Sequence, residues 1–262
     1  MILFKHEFYK QRRSFMTWVA IMNVFIFGFM LLFPLFKEQM EALSDYMDSF
    51  EDFLAVMGMG GLDLATAEGF FGADASMVLL IGGGMYATTL GLNILLNEEK
   101  EKTADFLLTK PVSRSMIYIT KYAVGTLNIF LFNVISYLFV LLSFLLINEL
   151  FPFYTMSLYF VSNFVLGIVL MTIAYGISAM IRKVPSGIAQ GVAIGLYVLN
   201  SIKNVSTRLS FLKWFTPFSI NESGKIFTEE TLELTYILYY LGVSMIIWLI
   251  GFIFYKKKDI YT

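Results

Sequence analysis

Six apolar stretches, each close to the ~20 residues needed to cross about 30 Å of hydrocarbon, constrain this chain more than anything else in it. They cover approximately residues 14–36, 77–96, 122–147, 155–181, 185–202 and 234–255. Inside a bilayer no water meets backbone N–H and C=O groups, so a crossing segment must satisfy them within itself. Runs of this length do so as helices. The expected fold class is therefore an all-α integral membrane protein, one transmembrane domain over residues 1–262 with six spans. Composition agrees: 58% of residues are hydrophobic and the mean hydropathy is +0.71, against an apolar share of about 45–50% in soluble domains. The first apolar stretch is too long for a signal-peptide core and is expected to be retained.

The fifth stretch is the weakest, because Gln190, Asn200 and Ser201 interrupt it, and a five-span reading competes. Charge decides between them, since Lys and Arg resist translocation. With both termini cytoplasmic, the inside holds Lys5, Lys10, Arg12, Arg13, Lys100, Lys102, Lys110, Arg114, Lys121, Arg182, Lys183 and Lys256 to Lys258. That is fourteen of the nineteen basic residues. Five spans would put the cluster after Lys256 outside, so six are expected. The location expected is a cell membrane, and the cysteine-free, Phe/Ile/Lys-rich composition fits a bacterial one of Gram-positive type.

The segments between spans have their own patterns. Residues 1–13 place Met1, Phe4 and Phe8 at helical spacing beside Lys5, Lys10, Arg12 and Arg13, which suits a cytoplasmic interfacial helix. In the outer region 37–76, Met40, Leu43, Met47, Phe50, Leu54 and Met57 form a helical apolar stripe among acids. That helix either lies on the membrane or its own spans, or meets a dimer partner. In the outer region 203–233, Trp214, Phe215 and Phe218 around Pro217 fit an interfacial or re-entrant element, or a surface loop with an aromatic anchor.

The spans carry no Asp, Glu, Lys, Arg or His in their central parts, which argues against an ion-coupled carrier. Cysteine is absent, which removes disulfides and thiolate metal sites, and the one histidine, His6, suits a solvated helix face. No phosphate-binding G-x-x-x-x-G-K-[ST] loop and no hydrolase motif occurs, so no enzymatic activity, bound cofactor or metal is expected of this chain. Neutral polar groups remain: Asn93, Asn128, Asn133, Asn163, Tyr175 and Gln190, with Asn23, Ser136, Thr172 and Ser178. They either bond helix to helix or line a substrate path. The small-residue run from Gly82 to Gly91 permits close helix approach, within the chain or across a dimer seam.

Between the second and third stretches lies NEEKEKTADFLLTKPVSRSMIYITK, residues 97–121. Thr103 suits an N-cap, Asp105 the first turn and Pro111 the stop of a helix of about two turns, too short to be stable alone. It offers Phe106, Leu107 and Leu108 amid charge. Such a knob either rests on headgroups or docks into a protein socket, with Glu98, Glu99, Lys100, Glu101 and Arg114 at the rim.

This loop resembles the E-x-x-x-G-T-x-[ED]-x-L-L-x-x-P-V-[ST]-R pattern, followed by a lysine, of ABC-2 type transporter permeases, the class of NosY-like and drug- or peptide-exporter permeases. Glu98/Glu99, Thr103, Asp105, Leu107, Leu108, Pro111, Val112, Ser113, Arg114 and Lys121 match, while Lys102 stands where the family has glycine. The likeness extends through the N-terminal helix, the six spans and the TPF element at 216–218. It implies a permease domain whose short helix in 97–121 is a coupling helix seated on a cytoplasmic ABC ATPase. It further implies two ATPase copies carrying ATP and Mg²⁺, a second permease (same chain or paralogue), a lipid surround and no nucleic acid. The function expected is export of an amphipathic or hydrophobic peptide, lipid or drug. The alternative is a stand-alone membrane immunity or binding protein with no ATPase.

Overall fold

The computed structural model describes residues 2–47, 55, 60–100, 113–181, 185, 187–205 and 207–257. Among these every regular element is helical. The long helices are α1 (Ile2–Met47), α3 (Ser76–Lys100), α4 (Arg114–Leu146), α5 (Phe153–Met180) and α8 (Leu234–Lys257). Each is long and apolar enough to cross a membrane. A shorter apolar helix, α6 (Ile188–Ile202), is the sixth. At 15 residues it extends about 22 Å, short of a full hydrocarbon crossing. The polar residues that weaken this stretch in sequence fall in it, and chain reversal at Gly187, with φ of 94°, starts it late.

The bundle has two distinct ends. Residues near both termini share one end: Glu7 meets Lys121 there, and Arg114 donates to the Lys256 carbonyl at 3.4 Å. The opposite, distal end holds α2 (Ala67–Phe70), a π-helical turn Phe71–Ala75, 3₁₀ turns Thr207–Trp214 and Pro217–Ile220, and α7 (Ser223–Glu229). Helices α3 and α5 form the interior, with 67% of each apolar window buried, against 28% for α1 and 22% for α8. The exposed faces of α1 and α8 carry Val24, Leu35, Leu238 and Ile246, as a lipid-facing surface requires.

One expectation needs correcting. Residues 1–13 do not form a separate interfacial helix, because α1 runs unbroken from Ile2 to Met47. No proline or glycine separates Arg13 from Ser14, and a single buried stripe of Glu7, Gln11, Phe15, Asn23, Ile26, Met30 and Phe33 continues along one face. The N-terminal segment therefore packs on the bundle through the same face as the span. Helix α1 also continues past position 36, taking in Met40, Leu43 and Met47; Phe50, Leu54 and Met57 lie outside the described residues. Likewise α4 begins at Arg114, ahead of the stretch at 122–147, because Ser113 caps it by accepting from the Met116 N–H at 3.3 Å.

Backbone touches backbone where the central helices cross. A methyl on Gly91 of α3 would stand 2.3 Å from the Met171 carbonyl oxygen of α5. One on Gly176 of α5 would meet the Ile247 carbonyl of α8 at 2.6 Å, and one on Gly251 would meet Gly176 itself at 2.7 Å. The run from Gly82 to Gly91 thus packs within the chain: Gly82 faces Met22 and Gly84 faces Phe218. Overpacking of this kind costs about 1–3 kcal/mol or more. Gly176→Val is therefore expected to lower the thermal unfolding midpoint in detergent by several degrees. Gly242→Ala, with open space around it, is expected to be neutral or slightly stabilising by the same measurement.

Candidate functional site

The loop that carries the motif is framed by the structure and only partly contained in it. Glu98, Glu99 and Lys100 fall in the last turn of α3, and Arg114 opens α4. Glu101, Thr103, Asp105, Phe106, Leu107, Leu108 and Pro111 lie outside the described residues. What the structure gives is the way the two framing helices are held.

Helix α4 leaves the loop into an aromatic cluster. The Tyr118 ring lies 4.7 Å from Tyr175 of α5, and 5.4 Å from each of Trp248, Phe252 and Tyr255 of α8. Its hydroxyl donates to the Trp248 carbonyl at 3.0 Å, and Tyr175 donates back to the Tyr118 carbonyl at 2.5 Å. One turn on, Tyr122 meets Tyr175 and Trp248 at 5.5 and 5.6 Å. Each ring pair contributes about 0.5–1.5 kcal/mol beyond its burial, so α4 is bolted to α5 and α8 at its first two turns. In the same turns the Lys121 ammonium donates to Glu7 Oε2 at 2.8 Å and to the Ile94 carbonyl at 3.0 Å.

The neutral polar residues of the spans do not share one place. Asn163 donates to Asn133 Oδ1 at 2.9 Å, joining α5 to α4 in mid-span. Asn133 and Asn128 also bond back to their own helix, at Ile129 and Val124. Tyr175 belongs to the aromatic cluster, Asn93 is half-buried on α3, and Gln190 sits at the start of α6 with its Oε1 buried and unpartnered among the described residues. The Asn133–Asn163 pair has a void of about 10 Å³ on one side, lined by Gly83, Gly84 and Gly167. On its other side Asn133 reaches an apolar groove of about 280 Å³ between α4 and α5, walled by Phe130, Tyr137, Phe160 and Phe164 with Ser157. The groove's polar groups are the Asn133 amide and the hydroxyls of Ser157 and Tyr137, and an apolar groove with a few such groups suits an amphiphile's chain and polar group.

The distal end is fastened by charge. The Lys203 side chain, fully buried at the end of α6, donates to Ser219 Oγ at 3.3 Å and to Glu222 Oε1. Lys213 and Lys225 approach the same carboxylate at 3.5 and 3.7 Å, and Lys225 also pairs with Glu233. Thr216 donates to the Leu196 carbonyl at 2.8 Å, and Tyr240 to that of Lys213 at 2.8 Å. Pro217 begins the second 3₁₀ turn and Phe218 is wholly buried, whereas Trp214 and Phe215 stay exposed, Trp214 stacked edge-on against Tyr236 and Tyr239. Residues Thr216 to Ile220 are buried within the protein, whereas the turn before them is largely exposed.

Sequence reasoning missed both buried ion pairs. Glu7, Gln11 and Phe15, four apart, marked a buried face on which Glu7 would need a cation. Lys203 and Glu222 stand 19 positions apart across irregular chain, and no local pattern links them.

These features define a multi-pass helical membrane protein whose described ion pairs sit toward the bundle ends and whose two loop-framing helices meet at the end that carries the termini. The family profile described as ABC-2 family transporter protein matches residues 1–260, and this chain belongs to that family. It is a permease subunit of an ABC transporter, a membrane component that works with an ABC ATPase subunit. No curated protein matches the chain.

Glu222 supplies a test of the distal fastening. Burial raises its carboxyl pKa, but Lys203, Lys213 and Lys225 together outweigh burial and hold it below the ordinary 4.5. A depressed carboxylate contributes stability that is complete above 4.5 and lost as pH falls through the lowered value. Lys203 is held below its ordinary 10.5 by burial, which outweighs the pull of Glu222. Its burial cost therefore wanes as pH rises from that lowered value toward 10.5. Glu222→Gln leaves the Lys203 ammonium buried without its counter-charge, and such losses cost about 3–5 kcal/mol. The expected result is a markedly lower unfolding midpoint at pH 7, with the gap to wild type closing as pH drops well below 4.5.

Proposed function

We propose that this chain couples ATP hydrolysis on a separate ABC ATPase to export of an amphipathic or hydrophobic substrate: a peptide, a lipid or a drug. The loop 97–121 is the coupling element, with Phe106 and Leu108 as anchors and Glu98, Glu99, Lys100, Glu101 and Arg114 around them. Both termini are cytoplasmic, the membrane is the plasma membrane of a bacterium, and two ATPases that bind ATP and Mg²⁺ serve this chain and a second permease.

The observation that carries this reading is the grip on the two helices that frame the loop. Tyr118, Tyr122 and Lys121 tie the start of α4 to α5, α8, α1 and the end of α3. A push on the loop therefore moves several spans together, which is the requirement for switching a bundle between two packings by rigid-body motion. The aromatic groove beside Asn133 and Ser157 supports the substrate class, because it pairs a large apolar wall with the few hydrogen-bonding groups of Asn133, Ser157 and Tyr137.

Phe106→Asp and Leu108→Asp are expected to leave membrane insertion and thermal stability unchanged. Each is expected to lower copurification of the ATPase subunit, and ATPase activity of the membrane-embedded complex, at least tenfold. Normal copurification and activity in both variants would overturn the coupling assignment. Wild-type protein from its native membrane with no ATPase attached would leave the stand-alone immunity or binding protein as the better reading.

A further inference from the structure

Lys121 stands at a place that the aromatic packing does not account for. Its side chain and that of Glu7 are each 1% exposed. The ammonium reaches three elements at once: its own helix α4, which leaves the loop; the Ile94 carbonyl of α3, six residues before that helix ends in the loop; and Glu7 on α1. The α3 contact is to main chain, so it grips the helix itself.

Stability does not explain the pair. Desolvating two charges consumes about what their attraction returns, and apolar replacements of similar volume are often neutral or stabilising by roughly 1–4 kcal/mol. The second carboxylate oxygen, Glu7 Oε1, is buried and has no hydrogen-bond partner among the described residues, a further cost. An interaction that is costly, half-satisfied and placed across three elements suits a joint that must hold one geometry in one packing and change in another.

Helix α1 is the element such a joint would move. It has 46 residues, about 69 Å at roughly 1.5 Å each, and its buried stripe runs unbroken from Glu7 to Phe33. At the distal end Phe33 and Phe36 stack on Phe70 at 5.5 and 6.0 Å, and Lys37 pairs with Glu149 at 2.9 Å. A displacement imposed at Glu7 is carried along this one helix toward the distal contacts, with Pro34 inside the helix where Phe33, Phe36 and Lys37 make them.

We infer that Lys121 is a positioning residue for coupling: through Glu7 and the Ile94 carbonyl it makes α1 move with the loop, so that ATP-driven motion at the termini end reaches the distal end. The inference rests on the coupling role proposed for 97–121. The absence of cysteine makes site-specific labels straightforward. Spin labels at Leu35→Cys on α1 and Leu238→Cys on α8, both on exposed faces, report their separation in the full complex with its ATPase, with and without trapped ATP.

The wild-type background is expected to show an ATP-dependent change in that distance. In the double variant Glu7→Leu with Lys121→Met the change is expected to shrink at least threefold, while ATPase binding and the unfolding midpoint stay near wild type. Lys121→Arg, which keeps a cation and its donors, is expected to restore more than half of it. Glu7→Gln with Lys121→Met is a second neutral pair should the first fail to fold. A wild-type distance change in a folded neutral pair, or no ATP-dependent change in wild type itself, overturns the inference. Failure of the ATPase to copurify with wild type instead overturns the coupling reading beneath it.

Discussion

Contact of backbone with backbone at Gly91, Gly176 and Gly251 is the constraint on which the bundle depends. Lipid tails are as apolar as leucine, so helices in a bilayer gain little by hiding apolar side chains from one another. Dispersion at close range and a few interhelical hydrogen bonds must hold them instead. Helix α5 exploits this on two sides, lying against α3 through Gly91 and Met171 and against α8 through Gly176 and Gly251. Tyr159 donates across to the Ser76 carbonyl at 2.9 Å, and Thr88 to that of Ala189 at 3.1 Å, so α3 is also tied to α5 and α6 by hydrogen bonds. Helices α1 and α4 flank this tight core; α4 is tied to it in mid-span by Asn133 and Asn163 and at the termini end by the aromatic cluster.

The two ends are fastened by different chemistry. At the termini end an aromatic cluster around Tyr118 surrounds neutral hydrogen bonds, with one ion pair beside it. At the distal end three lysines converge on Glu222, and the irregular segment from Thr207 to Glu229 is pinned by that charge and by Thr216 and Tyr240. Ring packing is short-ranged but tolerant of small rotations. A carboxylate shared among ammonium groups holds through many geometries until it is broken, and then its loss is large. The distal segment is thus held against the end of α6 by charge as well as by hydrogen bonds.

The architecture was legible in the sequence because hydrocarbon thickness leaves few alternatives: the apolar stretches are the helices found, with the weak fifth emerging as the short α6. The N-terminal segment was misjudged. Its basic residues suggested headgroup contact, yet the spacing of Glu7, Gln11 and Phe15 continues the buried face of the span. Of the polar residues singled out in the spans, Asn133 and Asn163 meet, while Asn128 bonds only its own helix and Tyr175 serves the aromatic cluster. Amide donors return to their own carbonyls four residues back when no partner helix presents a group, and composition gives no way to see which will. The ion pair between Lys203 and Glu222 depends on how irregular chain folds back over α6, which no periodicity encodes.

The placement of charge bears on where the energy of transport enters. Asp, Glu, Lys, Arg and His are missing from the middle of every long helix described, so a proton or sodium gradient finds no titratable group at the midplane to act on. Ionisable pairs lie instead toward the bundle ends, Lys121 with Glu7 near one and the buried Lys203 with the mostly buried Glu222 near the other. Under the coupling role proposed above, displacement enters such a bundle at its ends rather than through charge in its centre. Stiff helices joined by backbone contact carry such displacement, because packed cores shift between discrete arrangements rather than deform continuously. On the proposed coupling role, the loop between α3 and α4 delivers that displacement, since Tyr118 and Lys121 tie the helix it enters to α5, α8, α3 and α1.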